Sequence, residues 1–261
     1  MKFLFAKRSI LTFLILGAAL LYLWGCSASV DTSQLPPSLR FEYAEKLYNK
    51  KDYQEALKEF QAIVLQYPGN AIIDSSQYYL GMTRYERGEY ILGAYEFSRL
   101  IRNMPSSKLV PISQYMLAEC YYKLSPNFEL DQKYTKKAIS EFQAFIDFFP
   151  ADPKVPEAEK KIAEMNDKLA HKVYYTAYIY NKMDYYKASL IYYNMVIDNY
   201  HETMYGPLAM YDKINLLIDH KRNDEALASI SKFIDLYPND SHVKEVQKLK
   251  SSLEEKLSAA K

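Results

Sequence analysis

The chain has 261 residues, with 33 Lys and Arg against 32 Asp and Glu, and 49% of its residues are apolar. A net charge of +1 excludes a nucleic-acid binder that works by bulk positive charge, and two cysteines exclude a disulfide framework or a four-thiolate metal site. Seven glycines against 26 tyrosines leave little material for phosphate-cradling loops, so the composition points to a helical, Tyr-rich protein.

Residues 1–25 read as an export signal. Lys2, Lys7 and Arg8 precede an apolar run from Ile10 to Leu23, 14 residues long. That is short of the roughly 20 residues a membrane-spanning helix needs. The run ends Leu23-Trp24-Gly25-Cys26 and resembles the bacterial lipobox. The resemblance implies cleavage before Cys26 and a diacylglycerol on its thiol, the one covalent lipid expected. Trp24 departs from the pattern, which prefers a smaller residue there. Loss of the three basic residues takes the net charge to −2. Residues 26–38 then form the lipidated cysteine and a polar tether containing Pro36-Pro37.

A repeat fills the remainder. The segments KDYQEALKEFQAIVLQYP, GEYILGAYEFSRLIRNMP, KYTKKAISEFQAFIDFFP, DYYKASLIYYNMVIDNY and RNDEALASISKFIDLYP align on a small residue: Ala56, Gly93, Ala138, Ala188 and Ala226. Four positions on stand Phe60, Phe97, Phe142, Tyr192 and Ile230, one helical turn along the same face. Twelve positions on stand Pro68, Pro105, Pro150, Tyr200 and Pro238, where proline stops a helix. An upstream helix carries its own small slot at Ala44, Gly81, Ala118, Thr176 and Ile214. Each repeat is therefore predicted to be an antiparallel helix pair whose close crossings need small side chains. One pair cannot bury its apolar face alone, so neighbours must stack.

The pattern resembles the tetratricopeptide repeat, with the second copy matching best through Leu80, Gly81, Tyr85, Gly88, Tyr90, Gly93, Phe97 and Pro105. The expected fold is all-α: a superhelical solenoid of five pairs with a polar-faced capping helix over His242–Leu257. Repeats one to three are placed in 39–170, with an insertion near 126–133 and an extra helical stretch near 152–165. Repeats four and five and the cap occupy 171–261.

In such a solenoid the first helices line a concave groove. Offsets −3, +1 and +4 from the small slot form one stripe. They select Phe41 and Tyr48 in repeat one, Tyr78, Met82 and Tyr85 in repeat two, and Tyr115, Glu119 and Tyr122 in repeat three. Tyrosine joins a large apolar face to a hydroxyl, which suits an extended peptide. The same spacing also fits rings packed between helices, and the sequence leaves that open. Glu45 and Glu119 stand where a chaperone-type carboxylate clamp needs cations. Cys120 reads as a buried, inert thiol.

No catalytic or metal-binding motif is present: the four histidines are scattered, and there is no GxSxG, HExxH, GxGxxG or Walker loop. A non-enzyme without small-molecule substrate, nucleic acid or metal is expected.

Signal, lipobox, tether and five repeats of period near 37, with the third repeat enlarged, together resemble the BamD family of outer membrane assembly lipoproteins. The stretch Asp131–Pro150 and the segment KVPEAEKKIAEMNDKLAHKVYYTAYIYNKMDYYKASLIYYNMVIDNY carry the resemblance best. It implies a lipid-anchored protein on the periplasmic side of the outer membrane. Its amino-terminal repeats would receive unfolded outer membrane proteins, and its carboxy-terminal repeats would dock the periplasmic domains of BamA. Tyr180, Tyr211 and Asn215 are the residues expected at that dock. The competing expectations are a periplasmic repeat lipoprotein scaffolding cell-wall or division enzymes, and a glycan-binding lipoprotein on the cell surface.

Overall fold

The computed structural model describes residues 31–259, which are helices and their connections, with no strand among the described residues. The signal segment and Cys26 lie outside them. Five helix pairs follow one another: α1 (Pro37–Asn49) with α2 (Tyr53–Gln66), α3 (Ile73–Glu86) with α4 (Tyr90–Asn103), α5 (Val110–Leu124) with α6 (Lys133–Phe148), α7 (Val155–Lys182) with α8 (Tyr186–Asn199), and α9 (Tyr205–Asp219) with α10 (Asn223–Leu236). α11 (Val243–Ala259) caps the array. Each helix packs on the next, as a solenoid requires.

The small slots lie at the helix crossings: Ala44, Ala56, Ala118, Ala138 and Ala226 are fully buried. At Gly81 the reason is direct, since a β-carbon there would meet three ring atoms of Phe97 at 2.7–2.9 Å. Phe97 is itself fully buried and has nowhere to go. Gly81→Ala is expected to lower stability by about 1 kcal/mol. Overpacking costs roughly 1–3 kcal/mol, and helix propensity returns about 1. Thermal melting of the single variant and of Gly81→Ala with Phe97→Leu checks this, because the smaller side chain should relieve the clash.

The prolines act one residue early. α2, α4, α6 and α10 end at Tyr67, Met104, Phe149 and Tyr237, whose φ near −130° and ψ near 54° have left the helix. Each directly precedes a proline, and the proline ring disfavours the helical conformation at that position.

The fourth repeat starts one residue later than its sequence suggests. At the small slot of α7 the fully buried residue is Ala177, not Thr176. On α8 the buried pair is Ser189 and Tyr193, not Ala188 and Tyr192, and Ser189 Oγ donates to the Ala177 carbonyl at 2.9 Å. The turn inside the other pairs that lack an insertion confirms the register. Lys51, Gly88, Asp184 and Lys221 hold positive φ of 59–74°, each seven residues past Ala44, Gly81, Ala177 and Ile214. Offsets −3, +1 and +4 from Ala177 therefore put Tyr174, Tyr178 and Asn181 on the stripe, and Tyr180 lies one residue off it.

The enlargement of repeat three appears as two elements. Residues 125–132 form a loop, and the extra stretch is the first half of the 28-residue α7. Lys172 clamps the loop by donating to the carbonyls of Phe128, Glu129 and Leu130 at 2.8–3.2 Å, and Lys168 donates to Ser125 Oγ at 2.8 Å. One core runs from Ala94 to Met165 and another from Ala177 to Leu253, so α7 belongs to both. A third joins repeat one to Leu80 of α3. The tether is shorter than read from sequence: α1 starts at Pro37, and Thr32 is buried with its hydroxyl on the Glu59 carboxylate.

Candidate partner-binding surfaces

Repeats one and two present the expected aromatic stripe in half-buried form. Phe41, Tyr48, Tyr78, Met82 and Tyr85 are each partly exposed. Their inner edges are held by other rings. Phe41 packs edge-on against Phe60 and Tyr79 at 5.8 and 5.7 Å, and Tyr48 against Tyr53 and Tyr79 at 5.6 and 5.4 Å. Tyr78 leans on Phe97 at 5.8 Å, and Tyr85 on Tyr90 at 5.3 Å. Burial raises the pKa of the Tyr48, Tyr78 and Tyr85 phenols above the usual tyrosine value, so all three stay neutral donors. Tyr79 fixes the boundary between the two repeats: it stacks on Phe60 and donates to Glu45 at 2.9 Å. Rings locked on one edge and open on the other lose little entropy when they contact a partner.

Repeat three departs from expectation. Tyr115 is 3% exposed and Glu119 is 5% exposed. The first half of α7 lies across them and fills the groove. Lys161 is the key: its ammonium pairs with Glu119, donates to the Tyr115 hydroxyl at 3.0 Å and pairs with Glu157 at 3.1 Å. The same ammonium lies over the rings of Tyr115, Tyr122 and Phe142 at 5.2–5.8 Å. Burial alone would lower the Lys161 pKa, but the hydrogen bonds and charges of Glu119 and Glu157 outweigh it and raise the pKa. The Tyr122 hydroxyl donates to Glu164 at 2.9 Å. Tyr115 and Glu119 are therefore interior residues, because an element of the same chain occupies their part of the groove. Cys120 beside them is fully buried, and burial pushes its thiol up to about 12.

The carboxy-terminal candidates are scattered. The Tyr211 hydroxyl donates to Glu245 of the capping helix at 2.7 Å, and its ring lies 4.4 Å from that of His242. Asn215 is partly exposed one turn on. Tyr180 stacks on Tyr192 at 5.3 Å and borders an apolar cleft of about 460 Å3 with Tyr185 and Tyr186. The shifted register hid a stronger feature, a ladder along exposed α7. Phe128 of the insertion loop stacks on His171 at 3.7 Å, and Tyr175 stacks on Tyr178 at 6.2 Å. Lys182 covers the Tyr178 ring at 5.3 Å. The spacing of His171, Tyr175, Tyr178 and Lys182 is a single helical stripe and was visible in the sequence.

Among the described residues there is no helix long and apolar enough to cross a membrane, and no cluster of side chains that could hold a metal ion. Residues 33–218 match the YfiO family of outer membrane lipoproteins. The chain belongs to that family. The match begins just before α1 and ends inside α9, so it includes the enlarged third repeat and α7 that set this solenoid apart. The chain is also 27% identical over 221 residues to the outer membrane protein assembly factor BamD of Rickettsia prowazekii, covering 84% of this chain and 88% of that one. Among solved structures it is similar to the TPR2AB domain of yeast Sti1, at 16% identity and TM-score 0.43, covering 85% of this chain and 84% of the other. It is also similar to the tetratricopeptide protein TTC0263 of Thermus thermophilus, at 16% identity and TM-score 0.36, with 84% and 98% covered. The repeat architecture rests on the helix pairs themselves.

Proposed function

We propose that this YfiO-family chain is a non-catalytic scaffold for outer membrane protein assembly. It is lipid-anchored through Cys26 on the periplasmic side and works as part of the β-barrel assembly machinery. Repeats one and two take extended segments of unfolded outer membrane proteins on Phe41, Tyr48, Tyr78, Met82 and Tyr85. Repeats four and five dock BamA through the surface around Tyr180, Tyr211 and Asn215. The observation that carries this reading is the half-exposed aromatic stripe of the first two repeats, in a family of outer membrane lipoproteins that extends to an assembly factor.

Alternating side chains of an extended strand match such a stripe. Rings supply apolar contact, and phenols supply donors for the strand's unpaired carbonyls. Tyr78→Leu with Tyr85→Leu keeps apolar volume and removes flat rings and hydroxyls. This variant is expected to bind an aromatic-rich strand peptide about tenfold more weakly, with a melting temperature lower by a few degrees from the lost ring contacts to Phe97 and Tyr90. Fluorescence anisotropy with a labelled peptide measures it. Unchanged affinity in the folded variant would remove the groove from the proposal.

A further inference from the structure

A cleft of about 660 Å3 opens where α7 passes from repeat three to repeat four, between the end of the insertion loop and α8. It has an apolar side and a cationic side. Leu169 and Val173 of α7, the ring of Tyr192 on α8 and that of Tyr200 just past its end form the apolar side. Lys133 and Lys136 of α6 and Lys172 of α7 bring three ammonium groups to it, against the single carboxylate of Asp131.

These cations lack counter-charges. Asp131 accepts from the backbone N–H of Lys133 at 3.0 Å. The Lys172 ammonium is held by the three loop carbonyls, which supply no net charge. Among the described residues, no carboxylate lies within 4.0 Å of the ammonium of Lys133, Lys136 or Lys172. Helix stability does not explain Lys133 and Lys136 either. They open α6, where the helix dipole is already positive and an acidic residue would be favoured. Lysine is a point-charge binder of phosphate. An apolar wall beside it favours an anion that carries hydrocarbon over a bare ion.

We propose that this cleft binds the phosphate of an anionic phospholipid, with Lys133 and Lys136 on the phosphate and the glycerol and upper acyl chain against Leu169 and Val173. Membership of an outer membrane lipoprotein family brings phospholipid head groups within reach.

The test uses the full chain in a neutral detergent, titrated by calorimetry with dihexanoyl phosphatidylglycerol, dihexanoyl phosphatidylcholine, inorganic phosphate and hexaglutamate. Phosphatidylglycerol is expected to saturate one site about tenfold more tightly than the other three. In Lys133→Gln with Lys136→Gln that affinity should fall about tenfold, as expected for two partly exposed charge contacts. Both lysines are exposed and neither ammonium makes a hydrogen bond among the described residues, so this variant should fold normally. Phosphatidylcholine binding equally well would overturn the role of charge. Inorganic phosphate binding equally well would overturn the lipid as ligand. Preference for hexaglutamate would assign the cleft to an acidic protein segment and overturn the proposal, and so would unchanged lipid binding in the double variant.

Discussion

Lys161→Ala is expected to cost about 3 kcal/mol of stability. Its partner Glu119 has a side chain only 7% exposed, and Lys161 itself is 17% exposed. Removing one member of a buried pair leaves the other charged, desolvated and unpaired, which costs roughly 3–5 kcal/mol. Partial exposure of Lys161 puts this case at the low end. The companion change Glu119→Gln should recover most of the loss in the double variant, since a neutral amide needs no counter-ion. The raised Lys161 pKa means that this contribution is present below the ordinary lysine range. It is lost only as pH rises through the raised value, so neutral pH leaves it intact. Thermal and urea melts of the single and double variants measure the effect. A single variant as stable as the parent would show that α7 is not latched over repeat three by this pair.

Gly206→Ala is expected to destabilise by about 2 kcal/mol. A β-carbon on Gly206 would run into the carbonyl oxygen of His201 and lie 2.8 Å from the Tyr237 hydroxyl. That hydroxyl donates to the same His201 carbonyl at 3.1 Å, which ties repeat five to the loop before it. Backbone cannot rotate away as a side-chain tip can, so the clash costs about 3 kcal/mol, the upper end for overpacking. Alanine's better helix propensity returns about 1. The melting temperature should fall by roughly 4–8 °C, at about 2–4 °C per kcal/mol for a chain of this size. Calorimetry reads it directly, and a fall of under a degree would show that the loop from His201 to Met204 yields freely.

Much of the fold was legible because its rule is local. A small residue at a helix crossing, an aromatic one turn on and a proline after the second helix each act within a few residues of chain. Repeats one to three follow that pattern in full, and repeat five follows it with Ile230 in place of the aromatic. Repeat four misled because its string NKMDYYKA matches NKKDYQEA of repeat one at five of eight positions. Local similarity put Asp184 where Asp52 caps a helix. Burial puts it instead at the left-handed turn position held by Lys51, which an aspartate tolerates better than most residues.

The aromatic stripe was equally legible as a list of residues, but not as a surface. From sequence, Tyr78 and Tyr115 are the same position in successive repeats. In the fold one is half exposed and the other is sealed under Lys161, 46 residues further along the chain. The amino-acid sequence by itself determined the helix pairs, their number and the crossing residues of every repeat but the fourth, since these follow from side-chain volume and backbone stiffness over a turn or two. Only the tertiary structure decided where the groove is open, because exposure depends on which distant segment lies across it. The extra half of α7, a polar stretch with no motif of its own, closes repeat three through a charge pair that no spacing rule could anticipate.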